Sequence, residues 1–135
     1  MDKRLDKILL ERYPDIFAQY GGDMRETCMH WGFECGNGWF DLLDTLCATL
    51  KNNLYNAKNH YKYELERFNK TDEEVAEMVE KFGEHMQRKD APPEEPSPVV
   101  AEQVKEKYGD LRFYYRGGSK RDEGAVSMAE AISGR

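Results

Sequence analysis

WFDLLDTLCATLKNNLYNAKNHYKYELERF, residues 39–68, places Trp39, Leu42, Leu43, Leu46, Cys47, Leu50, Leu54, Ala57, Tyr61, Leu65 and Phe68 three or four residues apart. That period matches the α-helix, so the stretch reads as one long amphipathic helix or two in line. Asn69-Lys70 interrupts the pattern, and Thr71-Asp72-Glu73-Glu74 has the form of a capping box. In such a box the threonine hydroxyl accepts from the N3 amide and the glutamate reaches back. A second helix is expected to about Met86, burying Val75, Met78, Val79 and Phe82. The connection is too short for much besides an antiparallel hairpin, spanning about residues 39–87.

Outside this hairpin the signals are shorter. Leu5, Ile8, Leu9, Tyr13, Ile16 and Phe17 fall at helical spacings, with Pro14 placed to end or kink the helix. Met24–His30 suggests a further helical turn. Trp31–Cys35 alternates before Gly36-Asn37-Gly38 and reads as a short strand leaving through a turn. Residues 88–98, RKDAPPEEPSP, hold four of the five prolines and read as a linker or loop. Ser97 and Pro98 then suit the start of a helix through Val99, Val100, Val104 and Tyr108, with Gly109 as its C-terminal stop. Leu111–Tyr115 reads as a strand with Leu111, Phe113 and Tyr115 on one face and Arg112, Tyr114 and Arg116 on the other. The tail suggests a last short helix, although Gly124–Ser127 could instead complete the sheet. The fold class expected is α+β, mainly helical, with a long helical hairpin and a small antiparallel sheet of two or three strands, built from Gly32–Cys35 and Leu111–Tyr115.

The chain has 135 residues, enough for one domain with a real core, and is 39% hydrophobic and 34% charged with 16 aromatic residues. Three cysteines, Cys28, Cys35 and Cys47, cannot all pair within one molecule, and MDKRLDKILLER shows no secretory pattern. A reducing cytoplasm is therefore the expected location, and no apolar run is long enough for a membrane span. The net charge is −6, unevenly spread. Glu64–Glu84 carries eight acids against three bases, whereas Gln103–Arg121 carries six bases against two acids. Such asymmetry can steer a partner, although charge runs are commonly solvated helix faces.

Two segments, MHWGFECGNGWFDLLDTLC (Met29–Cys47) and VVAEQVKEKYGDLRFYYRGG (Val99–Gly118), together resemble a family of small bacteriophage and prophage proteins. Its marks are a "GFxCGxGW" element and a later "VKEK(F/Y)GxLRFYY" element. The resemblance implies a phage origin, and with it the host cell cytoplasm as the location, rather than an activity. Many members continue after the MAE..S segment into a Cys-x-x-Cys-like end, which is not found before Arg135, so no zinc role carries over. Relative to the family, the stretch from about Asn52 to Pro96 looks like an addition.

Chemical motifs are sparse. Cys28, His30 and Cys35, with Cys47 and His60 as further candidates, lack the paired short spacings of a zinc site, so no metal and no cofactor is expected. Packed, reduced cysteines beside Trp31 and Trp39 are the alternative. A Cys–His nucleophile pair drawn from Cys28 or Cys35 with His30, His60 or His85 lacks any hydrolase signature. Glu34, Asp41 and Asp44 could hold magnesium for phosphodiester chemistry, although Asp41 and Asp44 at i, i+3 also suit a solvated helix. Gly36-x-Gly38 lacks the rest of a nucleotide fingerprint.

Three functions remain open on these residues. The first is a non-enzymatic phage accessory protein that binds host machinery, such as a CRISPR effector or another nucleic-acid-handling defence complex. It would present Glu73, Glu74, Glu77, Glu80 and Glu84 where phosphates would otherwise lie. The second is a nucleic-acid binder using Arg112, Tyr114, Arg116, Lys120 and Arg121. The third is a small hydrolase or nuclease.

Overall fold

Asp2 starts the first helix by accepting from the Arg4 amide (2.8 Å), and α1 runs Lys3–Arg12. Proline cannot continue a helix, and α1 stops with Tyr13 as its cap, one residue before Pro14. The computed structural model describes residues 1–87 and 91–134. The remaining elements are β1 (Phe33–Glu34), α2 (Phe40–Phe68), α3 (Asp72–Phe82), β2 (Val100–Lys107), β3 (Asp110–Arg116) and α4 (Lys120–Ser133). Short 3₁₀ turns cover Cys28–Trp31, Asn37–Trp39 and Glu84–Met86. The chain is thus α+β and mainly helical. It divides into two compact units, Met1–Leu54 with Ser97–Arg135, and Tyr55–Pro96.

In the first unit the sheet order is β1-β2-β3. β1 runs parallel to β2, with Phe33 opposite Val104 and Glu34 opposite Lys105, and β2 runs antiparallel to β3. The sheet is therefore mixed rather than antiparallel, and β1 meets β3 only through β2.

The segment expected as a helix over Val99–Tyr108 is in fact strand β2. The misreading has a physical cause in a β-bulge between Ala101 and Gln103. A bulge inserts one extra residue, so inward-facing Ala101 and Val104 fall three apart and imitate a helical spacing. Gly109 is no helix stop. Tyr108 and Gly109 form the hairpin turn at φ 54° and 83°, both positive as a type I′ turn demands.

Residues 124–127 are helix, not strand, because Ser119 begins α4 with a complete capping box. Its hydroxyl accepts from the Asp122 amide (3.4 Å), and the Asp122 carboxylate accepts from the Ser119 amide (2.9 Å). The turn before it needs glycine: a Cβ on Gly117 would lie 2.1 Å from the Pro98 carbonyl oxygen, at φ 75°.

Leu9, Met29, Leu43, Cys47, Val104 and Leu111 are fully buried in this unit, and Phe17 meets Phe33 edge-on at 4.9 Å. α4 packs Val126 and Ala129 into the same core. It also closes the free edge of β3, where the Leu111 amide donates to Ser133 Oγ (2.9 Å) and the Phe113 amide to Glu130 Oε1 (3.1 Å). Unpaired strand edges invite further strands, and these side chains occupy that edge.

α2 is a single helix of 29 residues whose buried positions, Leu43, Leu46, Cys47 and Leu50, all belong to the first unit. Its later part, α3 and the turn at Glu84–Met86 make up the second unit with residues 91–96. Thr71 caps α3 by accepting from the Glu74 amide (3.2 Å). Of the four residues expected to be buried on α3, Val75 is buried, Met78 and Val79 are half-buried, and Phe82 is 62% exposed. Gly83 at φ 102° ends the helix, and Arg67 of α2 donates to the His85 carbonyl (3.4 Å) in the following turn. Of the expected linker 88–98, residues 88–90 lie outside the described residues, and 92–98 have no regular secondary structure. No helix among the described residues is long and apolar enough to cross a membrane.

Candidate functional site

The sulfur chemistry considered from the sequence is not assembled. Cys35 and Cys47 are buried, and Cys28 alone is exposed. Burial pushes the Cys35 thiol up to about 11 and raises that of Cys47 further, which disfavours the nucleophilic thiolate. His30 holds the Gly22 carbonyl through Nδ1 (2.7 Å) and meets Trp31 edge-on. No group of three or more His, Cys, Asp or Glu side chains among the described residues is placed to hold a metal ion.

Asp44 is committed to the fold. It accepts from Tyr13 Oη (2.7 Å) and pairs with Arg12 (2.9 Å), and these two partners hold its carboxyl below the usual range, the tyrosine bond first. A cleft lined by Pro14, Ile16, Leu50, Leu54 and Val99 encloses only about 50 Å³, well short of a substrate pocket. A wider groove of about 450 Å³ runs between Ala57–Glu64 and residues 91–96. Of its polar side chains, which include Glu94, His60 and Glu64 pair with each other (3.1 Å), and among the described residues that line it the Tyr61 phenol is the one hydroxyl, with no thiol.

Two charged surfaces remain. On α3, Glu73, Glu77 and Glu80 follow at intervals of four and three and share one face, and Glu84 comes just beyond Gly83. All four are exposed, and no ion pair of theirs occurs among the described residues. Glu74, beside them, is partly engaged through Thr71 Oγ1 (3.1 Å) and Lys70 (3.8 Å). The first-turn acids Asp72, Glu73 and Glu74 complement the positive end of the helix dipole, which gives them a structural role. Glu80 lies in the last turn, where a negative charge opposes the dipole.

The second surface is the outer face of the sheet. Val104 and Phe113 are opposite each other and buried, so their neighbours Lys105, Arg112 and Tyr114 point outward. Arg112 is held by Asp110 and Glu130, each at 3.7 Å. Arg116, Lys120 and Arg121 are exposed. Lys105 stands over the Tyr114 ring, 5.6 Å from its centroid. The sequence reading omits this lysine because it takes β2 for a helix. A hairpin centred on Tyr108-Gly109, with one bulge allowed, would have found it.

Comparison with protein-family models, with curated proteins and with solved structures returns no match, so function is read from this geometry.

Proposed function

We propose that the protein acts by binding another protein rather than by catalysis, docking the acidic face of α3 on a cationic surface of a nucleic-acid-handling host protein. The observation that carries this reading is the row Glu77, Glu80 and Glu84, exposed, without ion pairs among the described residues, and beyond the first turn where helix electrostatics would favour them. Helical rise spaces Glu73, Glu77 and Glu80 by about 5 Å along the axis. Phosphates of one DNA strand follow at about 3.4 Å along its axis, so a groove built for phosphates meets charge of similar density.

The resemblance to small phage proteins supports host defence machinery, such as a CRISPR effector, as the setting. An inhibitor that mimics a nucleic-acid backbone needs no active site. Long-range attraction between unlike surfaces speeds encounter and weakens with salt.

The test is capture from bacterial lysate across a salt series, comparing wild type with the variant Glu73→Gln, Glu77→Gln, Glu80→Gln, Glu84→Gln. Glutamine keeps side-chain size and most of the helix propensity while removing the charge. Partners should be captured by wild type at low salt, lost on adding oligonucleotide, and missing from the variant. If the variant retains every partner as well as wild type does, the acidic face is only solvated and the reading falls.

A further inference from the structure

The outer face of the sheet departs from the overall negative charge of the chain. Along β3, Arg112, Tyr114 and Arg116 point outward, and β2 contributes Gln103 and Lys105 beside them. Tyr114 leaves 42% of its surface to solvent, as its alternation with the buried Phe113 requires, so its ring is open to a ligand. The one outward carboxylate of the short β1, Glu34, accepts from the Gln103 amide at 3.5 Å. Arg112 is neutralised in place by Asp110 and Glu130. Lys105 and Arg116 have no carboxylate partner among the described residues. Lys120 and Arg121 continue the positive charge just past the strand.

We infer that this face is a platform for single-stranded nucleic acid, with Tyr114 stacking a base and Lys105 and Arg116 meeting the flanking phosphates. Along a strand, residues two apart are separated by about 7 Å. Arg116 therefore stands from Tyr114 at about the reach of a phosphate from a stacked base. Lys105, already over the ring, has a flexible stem that swings its ammonium onto a phosphate once a base arrives. Arg112 is a positioning residue here, since its guanidinium is occupied on both sides.

Charge and shape select this occupant. A duplex keeps its bases stacked inside and would leave the Tyr114 ring unused, and an acidic peptide would need the cations but not the flat ring. Base–aromatic stacking beside a cationic track serves single strands of any sequence. The surface and the ligand differ from those of α3, so either reading can fail alone.

The experiment is fluorescence anisotropy of the full chain with labelled dT and rU oligomers of about 15 nucleotides, over a potassium chloride series. Both oligomers should bind, more weakly as salt rises. Lys105→Gln with Arg116→Gln should flatten the slope of log K against log salt by about 1.4, close to 0.7 for each phosphate that is no longer neutralised. Tyr114→Ala should weaken binding by about fivefold to 150-fold, the range for losing one stacked base, and Tyr114→Phe should bind like wild type. Thermal melts of each variant establish that the fold is kept. No binding at low salt overturns the inference. So does a folded Tyr114→Ala that binds like wild type, or a polyglutamate chain that displaces the oligomer as well as unlabelled oligomer does.

Discussion

The indole N–H of Trp39 donates to the carboxylate of Glu106, 67 residues further along the chain. It ties the corner where β1 turns into α2 to the second strand, next to the Phe33–Val104 and Glu34–Lys105 pairs. One partner comes from the segment Met29–Cys47 and the other from Val99–Gly118, so these two segments meet in space through β2. Removing either partner, by Trp39→Phe or Glu106→Ala, should cost about 0.5–1.5 kcal/mol in urea unfolding. The double variant should cost little more than the worse single one, and Glu106→Gln, which keeps an acceptor, should cost less.

Tyr108 is the one non-glycine residue at positive φ among the described residues, and its side chain is 94% exposed. It pays the left-handed penalty with no packing in return beyond a contact of Lys107 with its ring. Tyr108→Asn produces the Asn-Gly pair that such turns favour and should raise stability by about 0.5–1 kcal/mol. A drop in melting temperature would show that the Lys107 contact outweighs the strain.

Opposite ends of α3 should answer oppositely to loss of charge. Glu80→Gln, in the last turn, should raise stability by a few tenths of a kcal/mol, and Glu73→Gln, in the first turn, should lower it by a similar amount. Both shifts should shrink in roughly 1 M salt. Equal effects of one sign would mean that α3 responds to total charge rather than to position.

Alkali should weaken the fold from a defined point. Burial raises the Cys35 thiol from 9.0 to about 11, so between these pH values the unfolded chain releases a proton that the folded chain retains. Stability is full below pH 9 and falls as pH rises through 11. Cys47 and Tyr13, also raised by burial, extend the loss upward. Cys35→Ala should make the decline between pH 9 and 11 shallower. On the native protein at neutral pH, iodoacetamide should modify Cys28 and spare Cys35 and Cys47.

Long periodic elements are legible in the sequence and compensated ones are not. The series from Leu42 to Phe68 announces α2 because a period of 3.6 repeated over many turns has no strand equivalent. Pro14 and Thr71 mark helix ends through chemistry that acts locally. β2 is hidden because its bulge shifts the alternation; the last helix is legible in the tail, but its start at Lys120 is not, because Ser119 and Asp122 cap it ahead of Gly124, which looks like a breaker. Asp6 lies in α1 among apolar neighbours yet is buried: its Oδ2 accepts from the Tyr20 hydroxyl (2.6 Å), a partner that folding alone brings near, while its Oδ1 has no hydrogen-bond partner among the described residues. Of the basic surface, the strand residues follow from alternation. Lys105 and the engagement of Arg112 need the register of two strands and the position of Glu130.

The side chains of Glu130 and Ser133 that occupy the edge of β3 also set an order of events during synthesis. The hairpin of β2 and β3 leaves the ribosome before α4 does, so for a time its outer edge faces solvent with two free amides and Phe113 unsheltered. Until some twenty further residues emerge, a neighbouring nascent chain can add a strand where α4 belongs. Crowded polysomes, rather than the finished protein, are therefore where this sequence is most exposed to misassembly, and slow translation across residues 117–133 would lengthen that interval.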